Sequence, residues 1–161
     1  MHGHCHPYLT AKISEQLQRL EHAIFSGFTH EPAVQLAERL LKRLPANQSK
    51  IFYSDNGSTA VEVALKMAFQ YWSNKGQDKI KVIAFENAYH GDTFGGMSVG
   101  ARNAFNLPFS KLLFDVAHIP VPVKGKEETT VQELKKIIEQ DNISAFIFEP
   151  LVQGAGGMVM Y

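Results

Sequence analysis

The sequence predicts an α/β domain with a mostly parallel sheet and flanking helices. Short β-prone runs alternate along the chain with longer stretches of helical periodicity, which is the order found in layered α/β folds. Residues 143–148 are apolar at almost every position, and such a run is typical of a strand buried on both faces of a parallel sheet. With 45% hydrophobic and 20% charged residues, the composition agrees with a globular domain built around one core.

The apolar positions of the first half predict three helices and one strand. Residues 8–24 carry leucine and isoleucine at spacings of three and four, which is the stripe of an amphipathic helix. A second helix begins near Pro32, which a first helical turn tolerates, and continues in helical period to Pro45. A β-prone run at residues 50–54 leads through a tight turn into a long helix whose apolar positions extend to Trp72.

The second half continues the alternation. Residues 81–85 form a strongly β-prone run, and the irregular, glycine-rich residues 86–100 follow it. A further strand is predicted at residues 114–119, and a helix is predicted at residues 130–140 before the apolar run already described.

Charge and composition exclude several classes of partner. The 16 basic and 16 acidic residues balance, so no electrostatic attraction to nucleic acid or to an anionic membrane is expected. The apolar runs are far too short to span a bilayer, and the first residues lack the layout of a signal peptide. Cys5 is the single cysteine and cannot form a disulfide within the chain, which favours a reducing compartment. We therefore expect a cytoplasmic protein.

The sequence lacks the motifs of several other kinds of site. His2, His4 and His6 lie near Cys5, but a structural zinc site usually takes ligands from separate chain segments, and no partner motif exists, so no metal site is expected. The sequence contains neither a P-loop nor a dinucleotide-binding fingerprint. It also contains no G-x-S-x-G motif that would indicate a nucleophilic serine.

The turn at residues 55–60 is a candidate phosphate site. Gly57 lies between a predicted strand and the start of a helix, where unpaired N–H groups and the helix dipole attract an anion. Glycine permits close approach of the backbone, and the hydroxyls of Ser58 and Thr59 add possible donors. The alternative is a plain helix cap, because Thr59 and Glu62 have the spacing of a capping box.

The loop after the second predicted strand is a candidate partner for that turn. It begins at the carboxyl edge of the sheet, where open α/β sheets bind ligands. Tyr89 could lie against an aromatic ring, while His90 and Asp92 could form hydrogen bonds. The alternative is a structural turn that Asp92 and the glycines stabilise, with Tyr89 packed against it.

Glu149 follows the last predicted strand and therefore arrives at the same edge of the sheet. It precedes the glycine-rich residues 153–157. A carboxylate in this position could lie near a cationic or polarisable ligand. The alternative is a solvated strand end.

Three segments together resemble the class III, pyridoxal-phosphate-dependent aminotransferases. They are residues 55–62, 89–98 and 148–158, and their order and spacing fit as well. Residues 25–33, 71–72 and 152–158 are similar to the branch of this class that functions in biotin synthesis. Ala155 stands where ornithine- and 4-aminobutyrate-type enzymes have an acid, which favours the biotin branch.

The resemblance implies a fold-type I large domain, a cofactor and a reaction. Gly57 and Ser58 would bind the phosphate of pyridoxal 5'-phosphate, Tyr89 would stack on its ring and border the substrate, His90 would lie beside Tyr89, and Glu149 would lie near the ring. The implied reaction transfers an amino group from S-adenosylmethionine to 8-amino-7-oxononanoate and gives 7,8-diaminononanoate. The implied assembly is a homodimer.

The resemblance also implies an incomplete domain. Residues 1–48 would form an N-terminal helical segment, and residues 49–161 would form the first part of the large domain that binds the cofactor. The family's cofactor-binding lysine would lie beyond Tyr161, so we expect no catalytic lysine among these residues and no transamination by these 161 residues alone. Two alternatives stay open: another class III aminotransferase of ornithine or 4-aminobutyrate type, and a non-catalytic phosphate-binding α/β module.

Overall fold

The computed structural model describes residues 2–140, 142–155 and 157–159. The chain divides into two compact units, with the boundary between Phe52 and Tyr53. The division after residue 48, expected from the sequence, stays a prediction.

The first unit contains two helices, α1 at Pro7–Leu17 and α2 at Glu31–Leu41. Helix α2 begins where predicted, with Pro32 in its first turn. The expected length of α1 is wrong, because this helix ends at Leu17 and does not reach Ile24. The side-chain amide of Gln16 donates to the carbonyl of Leu20 at 2.7 Å, so a side chain occupies the acceptor that the N–H of Ile24 would use in a continuous helix.

The second unit contains the remaining elements. The strands predicted at residues 81–85, 114–119 and 143–148 are confirmed with small changes of length, and so are the two predicted helices. A short helix inside the glycine-rich loop was not predicted. The elements are α3 at Gly57–Asn74, β1 at Lys81–Phe85, α4 at Phe94–Val99, a 3₁₀ helix at Leu107–Leu112, β2 at Val116–Ile119, α5 at Glu127–Gln140, β3 at Ile143–Ile147, β4 at Val152–Gln153 and β5 at Met158–Val159.

The predicted strand at residues 50–54 is wrong, because these residues adopt no regular structure. Their side chains favour a strand, but a strand also needs a neighbour to share its backbone hydrogen bonds. Within the described ranges, the second unit has a three-stranded sheet of β2, β1 and β3 and a two-stranded antiparallel sheet of β4 and β5, and residues 50–54 belong to neither.

The three main strands form a parallel sheet in the order β2-β1-β3, which confirms the predicted fold class. Alternate residues of β1 point to opposite faces, and each face has its own core. Val82 and Ala84 pack with Leu65 of α3 and Val99 of α4. On the other face, Ile83 and Phe85 pack with Ile119 and with residues of α5. The sheet therefore has helices on both sides, and its central strand is the most deeply buried.

The expectation that residues 143–148 are buried on both faces is wrong. In the part of the chain that the structure describes, β3 is an edge strand, and all five of its residues are half-buried. Trp72 anchors α3 to this edge, because its indole Nε1–H donates to the carbonyl of Ser144 at 2.8 Å. Phe148, just after the strand, is 47% exposed.

Across the described residues, no helix combines the length and the hydropathy needed to cross a membrane.

Candidate functional site

The start of α3 leaves two backbone donors without an acceptor among the described residues. Asn56 is extended and precedes the helix, and its Oδ1 accepts the N–H of Thr59 at 3.0 Å. In return, Thr59 Oγ1 accepts the N–H of Asn56 at 3.1 Å, which completes a capping box. The N–H groups of Gly57 and Ser58, the first two of the helix, have no intrahelical acceptor and meet none elsewhere among the described residues. The predicted phosphate turn therefore has free donors.

Two details of the predicted turn are wrong. The hydroxyl of Thr59 is occupied in the cap, where it also accepts from Ser54 Oγ at 2.6 Å and donates to the carbonyl of Asn56 at 3.0 Å. The alternative capping box of Thr59 and Glu62 does not form, because Thr59 lies inside the helix and not at its cap. Glu62 turns away from its own helix end and accepts from the N–H groups of Gly95 and Gly96.

The loop after β1 lies directly against the phosphate turn. Gly91 has a φ of +112°, a conformation that other residues rarely adopt. A Cβ added to Gly91 would lie 2.8 Å from Ser58 Cβ and 3.0 Å from Ser58 Cα. The missing side chain of Gly91 therefore permits backbone contact between the two predicted segments.

Tyr89 projects from this loop with its ring available. The residue is 49% exposed, so about half of its surface is not covered by the described residues. Its hydroxyl donates to Asp92 Oδ2 at 3.0 Å. This hydrogen bond, together with desolvation and the negative charge of Asp92, raises the pKa of Tyr89. The phenol is thus held in its protonated form and fixed in orientation.

His90 brings an unsatisfied nitrogen to the same loop. The residue is half-buried, and its Nε2 meets no hydrogen-bonding partner among the described residues. Burial lowers the pKa of His90, and the nearby carboxylate of Glu149 partly opposes that effect. Strands β1 and β3 are parallel neighbours in the sheet, so the segments that carry His90 and Glu149 leave it at the same edge.

The segment after β3 is fixed by two hydrogen bonds. Glu149 Oε2 accepts the N–H of Gly154 at 3.0 Å. Gln153 is 1% exposed, and its side-chain amide donates to the carbonyl of Glu86 at 3.1 Å. Gln153 thereby ties this segment to the loop that carries Tyr89, a role that no sequence pattern indicated. Gly156, which belongs to the same predicted motif, lies outside the described residues.

A cavity of about 650 Å³ opens beside the loop. Tyr89, His90 and Asp92 line it, whereas Gly57, Ser58 and Glu149 do not. Met97 and Ala155, which belong to two of the segments that resemble the family, also line it. Residues that the sequence did not single out complete the wall, and no periodic pattern marks them. They include Asn103, Phe105, Asn106 and Phe109.

Where the structure describes the chain, no three or more His, Cys, Asp or Glu side chains are arranged to hold a metal ion.

A protein-family model described as aminotransferase class-III matches residues 1–161. The chain belongs to the class III aminotransferase family. The chain is 51% identical over 168 residues to adenosylmethionine-8-amino-7-oxononanoate aminotransferase of Synechococcus elongatus, with 99% of this chain and 40% of that protein covered. The chain thus spans about 40% of the length of that curated relative.

Solved structures of aminotransferases resemble this class III chain closely. One is the crystal structure of adenosylmethionine-8-amino-7-oxononanoate aminotransferase from Methanocaldococcus jannaschii, with a TM-score of 0.89 and 34% identity over 99% of this chain and 36% of that one. Another is a PLP-bound amine transaminase from an uncultivated Pseudomonas species, with a TM-score of 0.86 and 31% identity over 98% of this chain and 39% of that one.

Proposed function

We propose that this chain is the phosphate- and ring-binding part of a pyridoxal-phosphate-dependent aminotransferase. The proposed reaction transfers an amino group from S-adenosylmethionine to 8-amino-7-oxononanoate and yields 7,8-diaminononanoate. The observation that carries the proposal is the contact between Gly91 and Ser58, which joins a turn with free N–H donors to a loop with an available aromatic ring.

The phosphate turn fits the cofactor's phosphate. A dianion at the start of α3 would accept the two free N–H groups of Gly57 and Ser58 and would lie at the positive end of the helix dipole. Around Gly57 there is open space, since a Cβ added there would meet nothing within 4 Å. The capping box holds the turn in shape without using these donors.

The loop after β1 fits the cofactor's ring. Tyr89 would cover the ring and border the substrate, with its hydroxyl fixed by Asp92. His90 Nε2 has a hydrogen bond to give or accept, and Glu149 would lie near the ring at the edge of the sheet. Bound pyridoxal phosphate would supply an electron-withdrawing group that stabilises the negative charge left when a substrate loses its α-proton. These residues would bind and orient the cofactor.

Named relatives support the substrate assignment. The relative from Synechococcus elongatus carries the name of the biotin-pathway enzyme at 51% identity. We extend the proposal to a homodimer in the cytoplasm, as the resemblance implies. Residues outside this chain would supply the remaining catalytic groups, because the chain spans only about 40% of that relative.

Removing a single N–H donor tests the phosphate turn. Gly57→Pro deletes the N–H at the first helical position, where proline is well tolerated, and the extended Asn56 before it suits a following proline. Gly57→Ala is the matched control, because it keeps the N–H. We expect Gly57→Pro to weaken pyridoxal phosphate binding by the intact protein roughly tenfold or more, since one hydrogen bond to a charged group is lost.

Pyridoxal, which lacks the phosphate, separates this effect from a general defect. Its affinity is expected to be the same for Gly57→Pro and Gly57→Ala. Equal affinity of the two variants for pyridoxal phosphate, measured by equilibrium dialysis, would contradict the assignment of the phosphate site.

A substrate panel tests the reaction. The intact protein, loaded with cofactor, is mixed with S-adenosylmethionine and 8-amino-7-oxononanoate, and 7,8-diaminononanoate is measured by mass spectrometry. Turnover with ornithine or 4-aminobutyrate in place of S-adenosylmethionine would indicate another class III specificity. Binding of phosphate without turnover of any amino donor would favour a non-catalytic module.

A further inference from the structure

Glu62 joins the two halves of the proposed cofactor site. Its Oε1 accepts the N–H of Gly95 at 2.5 Å and the N–H of Gly96 at 3.3 Å, across more than thirty residues of sequence. The carboxylate is half-buried, and both glycines are buried. A Cβ added to Gly95 would lie 2.6 Å from Glu62 Oε1 and 2.7 Å from Glu62 Cδ, so glycine is what permits this approach.

The carboxylate of Glu62 caps the start of α4. The first N–H groups of a helix have no intrahelical acceptor, and the residue before the helix usually supplies one. Thr93 occupies that position but makes no side-chain cap, and its buried Oγ1 meets no partner within the described ranges. Glu62 therefore satisfies, from a different helix, the donors that Thr93 leaves free.

A series of contacts runs from α3 to α4, from α4 to the loop after β1, and from that loop back to α3. Ser58 and Glu62 are four residues apart in α3 and so lie on one face of that helix. Glu62 holds Gly95 and Gly96, and a Cβ added to Gly96 would lie 2.9 Å from the carbonyl oxygens of His90 and Gly91. Gly91 in turn lies against Ser58. One face of α3 thus holds the chain that follows Tyr89, first at Gly91 and then at Gly95 and Gly96.

We infer that Glu62 is a positioning residue that sets the distance between the phosphate turn and Tyr89, an inference that rests on the proposed function. The ligand is a phosphorylated pyridine aldehyde, which must reach both places at once. Without the carboxylate, the turn would keep its N–H groups on α3, but the loop would lose its fixed position relative to them. Binding of the phosphate alone would survive, and binding of phosphate and ring together would weaken.

Three variants of the intact protein test the inference. Glu62→Met keeps the length of the side chain and the helix propensity but removes the acceptor. Glu62→Gln keeps an acceptor oxygen without the charge. Lys66→Met is the matched control, because Lys66 is exposed one turn further along α3.

The affinities for pyridoxal phosphate and for inorganic phosphate are measured separately. We expect Glu62→Met to bind pyridoxal phosphate roughly tenfold more weakly, and to bind inorganic phosphate within about twofold of wild type. Glu62→Gln should recover most of the lost affinity, and Lys66→Met should match wild type. The circular dichroism that the bound cofactor acquires should fall in Glu62→Met and return in Glu62→Gln.

Amide exchange provides a readout that needs no cofactor. The N–H groups of Gly95 and Gly96 should exchange roughly tenfold faster in Glu62→Met than in wild type, and Glu62→Gln should restore protection. Unchanged exchange, or equal weakening for pyridoxal phosphate and inorganic phosphate, would overturn the inference. Failure of the wild-type protein to bind pyridoxal phosphate would instead overturn the proposed function and, with it, the role of Glu62 toward the cofactor.

Discussion

Replacing Gly91 by alanine tests the contact on which the site depends. The new Cβ would lie 3.0 Å from Ser58 Cα, which is backbone and cannot rotate away, and 2.8 Å from Ser58 Cβ. Relieving such overlap costs about 1–3 kcal/mol. The φ of +112° adds a backbone strain of about 1–3 kcal/mol for a residue with a side chain. The lower entropy of the unfolded alanine chain offsets about 0.4–1 kcal/mol. The expected loss of stability is therefore about 3 kcal/mol.

Gly76→Ala is the control for the strain of placing a side chain at a positive φ. Gly76 has a φ of +68°, but a Cβ added there would meet nothing within 4 Å. We expect this variant to lose only about 1–2 kcal/mol. Both variants of the intact protein are unfolded in urea and followed by far-ultraviolet circular dichroism. If their free energies of unfolding agree within about 0.5 kcal/mol, a close contact with Ser58 does not exist and the joined site is refuted.

Two further predictions concern the edges of the site. Asn56→Ala removes the side-chain acceptor of the capping box and should lower the free energy of unfolding by about 1 kcal/mol, measured in the same urea titration. His90 should titrate below its ordinary pKa of about 6.5 in an NMR experiment on its imidazole, and Glu149→Gln should lower that pKa further, since the carboxylate opposes the effect of burial. Because the folded-state pKa of His90 lies below its ordinary value of about 6.5, the unfolded chain binds more protons than the folded chain between these two pH values. The contribution of neutral His90 to stability is therefore complete above about pH 6.5 and declines as the pH falls toward the folded-state pKa. His90→Asn should remove this part of the pH dependence, and an upward shift in Glu149→Gln would contradict the assignment.

Elements with a strong local pattern could be predicted from the sequence. Helix α3 and strand β1 match their expected positions. The helical stripe toward Trp72 and the β-prone run at residues 81–85 are local sequence patterns, and each favours one kind of element without help from distant residues. The prediction for residues 50–54 is wrong, since strand formation depends on a distant partner that the sequence pattern does not report. The same limit explains why residues 143–148 were expected to be fully buried.

The candidate site could be predicted only in part. Gly57, Tyr89 and Glu149 were singled out because a glycine turn before a helix and the carboxyl edge of a parallel sheet are general sites for ligands, while their roles toward a cofactor come from the resemblance and stay predictions. The role of Glu62 was missed, because its partners Gly95 and Gly96 lie far away in sequence and its spacing to Thr59 resembles an ordinary cap.

The position of the phosphate turn has a different cause from the one that the sequence suggested. A strand at residues 50–54 was expected to precede the turn, yet those residues form no strand. Helix α3 reaches the same place through its own packing, with Leu65 buried against Val82 and Ala84 of β1. The loop that carries Tyr89 begins where β1 ends, so the packing of Leu65 against β1 places the helix and the loop beside the same strand. The backbone contact at Gly91 and the hydrogen bonds to Glu62 then fix the remaining separation between α3 and this loop.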